Sequence, residues 1–135
     1  MPAVPACPCG RTGPSKKPLA LADCCGRFIA HFETVPAPDA ELLMRSRYSA
    51  FVLERADYLL ATWHASRRPP SIDFDAGAKW LGLEVRHHRV IDEVSAEVEF
   101  VARQKSPGLP ALRLHERSRF VRETGRWYYV DGAQL

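Results

Sequence analysis

Val94-Ser95-Ala96-Glu97-Val98-Glu99-Phe100-Val101-Ala102 and, after Ser106-Pro107-Gly108-Leu109-Pro110, Leu112-Arg113-Leu114-His115-Glu116-Arg117-Ser118-Arg119-Phe120 each alternate apolar and polar side chains over much of their length. A period of two sends successive side chains to opposite faces of a strand, so each segment reads as half buried. Centring the hairpin on Gly108 sets Phe100 opposite Glu116 and Val98 opposite Ser118 on the inner face. Glu97 and Glu99 then face Arg119 and Arg117 on the outer one.

Leu81-Leu83-Val85-His87 before this pair and Trp127-Tyr129-Asp131 after it keep the alternation and complete a four-stranded antiparallel meander. Glu123-Thr124-Gly125-Arg126 forms the last hairpin turn, in which Gly125 takes a positive φ without a Cβ clash. Ahead of the strands the period lengthens to that of a helix. Asp39 is placed to start a helix running to about Leu53, with Leu43, Met44, Arg47, Tyr48, Phe51 and Val52 on one side. Further helices are expected over about Ala56 to His64 and over about Asp23 to Phe32, the latter capped by Asp23. Helices first and strands afterwards predict an α+β fold, with the helices covering one face of a curved sheet.

A chain of 135 residues is long enough for one domain with a hydrophobic core. Its composition, 46% hydrophobic and 26% charged, is that of a soluble globular protein. No apolar run approaches the roughly 20 residues of a membrane span. Residues 1–30 carry Arg11, Lys16, Lys17 and Arg27 and lack a signal-peptide core, so a cytoplasmic location without membrane contact is expected. Residues 103–126 hold seven Arg or Lys against two Glu, a balance that suggests a nucleic-acid footprint. The cross-strand partners Glu97 and Glu99 offset it at about 0.2 to 1 kcal/mol per pair, which makes direct nucleic-acid binding unnecessary.

The same counting brings His87, Val98, Ser118 and Asp131 into one inward row and Glu116 with Phe100 into the next. His, Ser and Asp suggest a hydrolase triad, but strands lie about 4.8 Å apart and His87 is two strands from Ser118. A carboxylate at Glu116 facing the core needs a partner, and Arg45 or Arg47 on the covering helix is expected to supply it. Replacing Glu116 by Gln would then cost about 3 to 5 kcal/mol. The alternative is a pocket between helices and sheet lined by Glu116, His87, His64 and Tyr48, where a carboxylate and an imidazole suit acid/base work.

All four cysteines fall within nineteen residues, as Cys7-Pro8-Cys9-Gly10 and Asp23-Cys24-Cys25-Gly26. Four thiolates make a closed tetrahedral shell for zinc, a structural arrangement with no position left for a reacting water. Paired disulfides, a redox pair and free thiols are the competing readings. His31 is the nearest substitute ligand should Cys25 point away.

Cys-Pro-Cys-Gly with Cys-Cys-Gly, Leu43-Met44-Arg45-Ser46-Arg47-Tyr48 with Ala50-Phe51-Val52, and Asp57-Tyr58-Leu59 with Thr62-Trp63-His64 resemble the bacterial YchJ-like family. Trp80-Leu81-Gly82-Leu83, Phe100-Val101-Ala102-Arg103, Glu116-Arg117-Ser118-Arg119-Phe120 and Trp127-Tyr128-Tyr129-Val130-Asp131-Gly132 continue the likeness in order. The resemblance implies a cone-shaped nuclear-transport-factor-2-like domain over residues 36–135, preceded by a SEC-C metal-binding arm over residues 1–35. It brings no established activity. Two departures stand out: the segment between Cys9 and Cys24 is longer than in the usual motif, and no second SEC-C copy follows the domain. A partner needing two knuckles is therefore expected to bind poorly.

Together these readings predict a zinc-binding adaptor whose cysteine knuckle, formed by Cys7, Cys9, Cys24 and Cys25, docks on a protein or ribonucleoprotein partner. The rival is a small-ligand binder or enzyme using an interior pocket, with Arg45, Arg47, Tyr48, His64, His87, Glu116 and Ser118 as candidates. A fold of this kind does not decide between them.

Overall fold

Asp39 accepts a hydrogen bond from the Leu42 N–H at 2.7 Å and so satisfies one of the donors that every helix start leaves open. In the computed structural model, which describes residues 5–13, 15–75 and 77–135, the helix it caps is α2, Ala40–Val52. Residues 1–4 and Pro14 of the expected arm lie outside the described residues. Leu43, Met44, Arg47 and Tyr48 are buried along α2, as the helical spacing requires. Helix α1 spans Cys25–Ala30 and α3 spans Ala56–Ala61.

Two helix ends differ from the sequence reading. Asp23 does not cap α1, because it closes a separate 3-10 turn, Leu21–Asp23, and Cys24 takes the cap position with no side-chain bond. Helix α3 stops before His64. There the chain pairs with the last strand instead: the Tyr129 N–H donates to Thr62 O at 2.9 Å, and the His64 N–H to Tyr129 O at 2.7 Å. Covering part of an exposed strand edge satisfies backbone groups that one more helical turn would have left to solvent.

Strands β1 (Lys79–Val90), β2 (Ser95–Lys105), β3 (Leu112–Glu123) and β4 (Arg126–Gln134) form the antiparallel meander in sequence order. The β2–β3 register is the one the alternation dictates: Phe100 pairs with Glu116, Val98 with Ser118, Glu97 with Arg119 and Glu99 with Arg117. The outer strands depart from it. Register shifts between Trp80 and Gly82 and between Val85 and His87 leave Leu81 and Arg86 as extra residues. His87 therefore faces Glu99 on the outer surface, and His88 takes the place opposite Val98. A third shift in the β3–β4 pairing turns Asp131 outward against Arg119, with oxygens 2.6 Å from Nε and from Nη2. Arg119 thus pairs with Asp131, whereas Glu99 meets both Arg117 and His115.

Helix α2 lies on the inner face, packed against β1, β2 and β4, and α1 and α3 pack on α2. Leu43, Tyr58, Leu59, Val98 and Phe120 are almost wholly buried there. Burying each such side chain contributes about 1.5–3 kcal/mol. The four cysteines, Phe28 and Ile29 are continuous with this core. No helix among the described residues is long and apolar enough to cross a membrane.

The β3–β4 turn holds Thr124 at φ +50° and Gly125 at φ +77°. Glycine tolerates that region; a β-branched residue pays about 1–2 kcal/mol for it. Thr124→Asn, which suits the first position of this turn, is expected to raise stability by about 1 kcal/mol in urea unfolding. An unchanged or lower midpoint would show that the Thr124 hydroxyl, which donates to Glu123 O at 2.7 Å, compensates for the strain.

Candidate functional site

The cysteine arm is a small self-closing unit. The Gly10 N–H donates to Cys7 O at 3.2 Å, with Gly10 at φ +76°, which folds the Cys-Pro-Cys-Gly turn and aims both thiols one way. The Cys7 N–H donates to Leu19 O at 2.8 Å, and bridges join Ala6 to Ala20 and Thr12 to Pro18. The long segment between Cys9 and Cys24 is thereby folded back on itself, and the Gly13 N–H donates to Lys17 O at 2.9 Å. Closing a longer loop adds only a logarithmic entropy cost, so the added length leaves the site intact.

Cys7 Sγ lies 3.5 Å from Cys9 Sγ, and Cys9 Sγ lies 3.7 Å from Cys24 Sγ. All four sulfurs fall within 4.8 Å of one another, and all four cysteines are free and buried. A tetrahedral ion with sulfur ligands at about 2.3 Å needs S–S edges of about 3.8 Å, close to the Cys7–Cys9 and Cys9–Cys24 separations. The cluster's electrostatics point the same way. Hydrogen bonds from Cys25 and Cys9 pull the Cys7 thiol far below its ordinary pKa, whereas its bonds to Cys7 and Cys9, together with burial, push Cys25 up. At Cys9 the lowering bond from Cys25 is outweighed by Cys7 and by burial, and the thiol rises to about 11. Four crowded thiols cannot all ionise on their own; a cation among them removes that conflict. His31, the reserve ligand, is exposed and outside the cluster.

Gly26 holds the second cysteine pair in place. A Cβ there would sit 2.6 Å from the Leu21 carbonyl oxygen, inside contact distance with backbone. Gly26→Ala is expected to cost about 1–3 kcal/mol and to weaken metal retention against a competing chelator. Wild-type retention with unchanged stability would mean that this turn can shift without moving the sulfurs.

Between α2 and the sheet lies a cavity of about 300 Å³ lined by Tyr48, Phe51, Trp63, Trp80, Phe100 and Tyr129, with Arg47 and Glu116 as its charged members. Arg47 is 3% exposed. Its Nη1 donates to Leu59 O at 2.8 Å and to Thr62 Oγ1 at 2.7 Å, and its guanidinium lies 5.1 and 4.6 Å from the Trp63 and Tyr129 rings. Burial pushes it down to about 10, so it stays charged at neutral pH. A larger depression of about 540 Å³ on the outer face, beside His87, Glu99 and Arg117, is open and charged. We regard the interior as the candidate, since its walls are mainly apolar and aromatic with a few polar groups, the lining that holds small molecules.

A family model described as "YchJ, middle NTF2-like domain" matches residues 39–132. The chain belongs to the YchJ family. A UPF0225 protein of Polaromonas sp. is 78% identical over 126 residues, covering 93% of this chain and 91% of the relative. Another, of Polaromonas naphthalenivorans, is 66% identical over 96% of this chain and 97% of its own length. Among solved structures, a SEC-C motif containing protein from Rhodopseudomonas palustris superposes with TM-score 0.76 at 34% identity, over 88% of this chain and 94% of that one. A SEC-C motif containing protein from Psychrobacter arcticus gives 0.76 at 32%, over 93% and 80%. The fold is thus the α+β, NTF2-like one with a cysteine cluster ahead of it.

In this YchJ-family chain the candidate residues divide between places. Arg47, Tyr48 and Glu116 share the cavity. Arg45 goes to the cysteine arm, where Nη1 donates to Cys9 O at 3.2 Å and Nε pairs with Glu41 at 3.1 Å. His64 Nε2 meets Glu123 at 2.7 Å away from the cavity, and His87 is on the outer face. Buried Ser118 donates to Glu116 Oε2 at 2.5 Å, and Gln134 Nε2 donates to Oε1 at 3.3 Å. The expected Glu116–arginine ion pair is therefore not formed; two uncharged donors hold the carboxylate, so the 3 to 5 kcal/mol expected of Glu116→Gln no longer follows. With His87 and Asp131 outside and Ser118 inside, no triad exists. The sequence reading missed the cavity's Trp63, Trp80, Tyr129 and Gln134, although the aromatic spacing around the Trp-Leu-Gly-Leu and Trp-Tyr-Tyr motifs carried the signal.

Proposed function

We propose that this YchJ-family protein is a cytoplasmic zinc-binding adaptor whose knuckle docks on a protein or ribonucleoprotein partner. The observation that carries the reading is the packing of four buried sulfurs within 4.8 Å of one another, a full donor set for a structural ion. A reducing compartment suits four free thiols in such proximity. The knuckle is held against α2 by Arg45 and by a 3.5 Å contact between Cys7 Sγ and Ser49 Oγ. Its outer segment carries exposed Lys16 and Lys17, which favour an acidic or phosphate-bearing partner.

The test begins with elemental analysis of the purified protein, where about one zinc per chain is expected. Crosslinking capture follows, comparing native protein with metal-stripped protein and with Lys16→Glu/Lys17→Glu. One set of partners lost in both controls supports docking by the knuckle. Protein without bound zinc, or a captured set indifferent to both changes, contradicts the proposal.

A further inference from the structure

Arg47 is a buried cation whose hydrogen bonds all run from one nitrogen. Nη1 serves Leu59 O and Thr62 Oγ1, whereas Nε and Nη2 make no hydrogen bond among the described residues, and the side chain lines the cavity. The Nε–H and Nη2–H bonds of a guanidinium are parallel and spaced to meet both oxygens of one carboxylate. The neighbouring acid is prevented from occupying that edge. Ser118 and Gln134 hold Glu116, and its carboxyl lies across Gly132, where a Cβ would come within 2.3 Å of Glu116 Cδ. The remaining walls, Tyr48, Phe51, Trp80, Phe100 and Leu114, are apolar or aromatic and suit a flat body. At about 300 Å³ the space is at the lower end of the roughly 300–1,000 Å³ typical of ligand sites, which limits that body to little more than one ring.

We propose that the cavity binds a small hydroxylated aromatic carboxylic acid, its carboxylate on the Nε/Nη2 edge of Arg47 and its hydroxyl donating to Glu116. The hydroxyl adds a third donor to a carboxylate that now has only the two uncharged donors Ser118 and Gln134, and so offsets the repulsion of a second anion beside it. The site is independent of the metal centre and of any docking partner.

The probes are 4-hydroxybenzoate, 4-hydroxyphenylacetate and 4-hydroxycinnamate, which place the two polar ends at three separations, each beside its carboxamide. They are titrated into the full metal-loaded chain and followed by nitrogen–proton correlation spectra. At least one acid is expected to give saturable shifts at the indole N–H of Trp63 and Trp80, with Trp127 unmoved, at concentrations on the order of 1 mM or below. Its carboxamide is expected to bind about tenfold more weakly, because the charge-assisted pair is lost. Ala102→Leu, which fills the cavity wall, should keep the folded spectrum and lose the shifts. Absence of saturable shifts with all three acids, equal binding of acid and carboxamide, or undiminished binding to folded Ala102→Leu each overturns the proposal.

Discussion

Replacing Cys25 by serine is expected to unfold the N-terminal arm and leave the sheet standing. Amide protection over residues 5–34 should fall to that of an open chain, while Phe100 and Phe120 keep theirs. The arm has a small apolar inventory, chiefly Leu19, Leu21, Phe28 and Ile29, and its regular structure among the described residues is a six-residue helix, a 3-10 turn and two isolated bridges. That cannot offset about 1–2 kcal/mol of backbone entropy per ordered residue, whereas a structural zinc supplies about 10–16 kcal/mol in small metal-dependent units. The chain behind it supplies the larger share of the common core, with Leu43, Tyr58, Leu59, Val98 and Phe120 all buried. It does lose contacts, since Phe32 packs edge-on against Tyr58 and Arg126 donates to the carbonyls of Phe32 and Glu33. A fall of several degrees in the remaining transition is therefore expected as well. Loss of Phe100 and Phe120 protection together with the arm would mean one cooperative unit, and an unperturbed arm would remove the metal from the argument.

What could be read from the sequence tracks how each feature is encoded. The β2–β3 register was legible because four consecutive pairs, from Glu97 with Arg119 to Phe100 with Glu116, all agree on which side is inside. Helix α2 was legible because its cap and its apolar stripe coincide. The outer strands were not, because one extra residue in a strand leaves the composition unchanged and inverts every side chain beyond it. The inner positions of β1, Trp80, Leu83, Val85 and His88, are spaced three, two and three apart; a Gly at position 82, with φ +143°, marks the first irregularity. Nothing comparable marks the break at Arg86, and His87 was misplaced for that reason. Arg45 and Arg47 lie two positions apart on one helix, which puts them some 200° apart around its axis. One serves the knuckle and the other the cavity, a division that residue type alone does not reveal.

Substitutions at Arg47 are expected to rank stability as Met at or above Arg, with Lys lowest. Burial without an ion pair brings the guanidinium from 12.5 to about 10, a penalty to its charged form on the order of 3 kcal/mol. Against it stand two hydrogen bonds and the Trp63 and Tyr129 faces, contributions of similar total size. Methionine keeps most of the volume and its contacts with both rings, and of the two acceptors it abandons only Leu59 O is left without a close donor. Thr62 Oγ1 still donates to Tyr58 O at 2.7 Å, and Leu59 O still lies 3.4 Å from that hydroxyl. Arg47→Met should accordingly fall between neutral and about 2 kcal/mol more stable, as replacements of buried charges by apolar residues often do. Lysine keeps the charge, is more strongly hydrated, and cannot reach two acceptors while lying flat between rings, so Arg47→Lys should lose about 2–4 kcal/mol. Urea unfolding of the three proteins decides it. If methionine proves as damaging as lysine, the guanidinium is there for stability; if methionine is tolerated, a buried charge that the fold does not need is being kept for what enters the cavity.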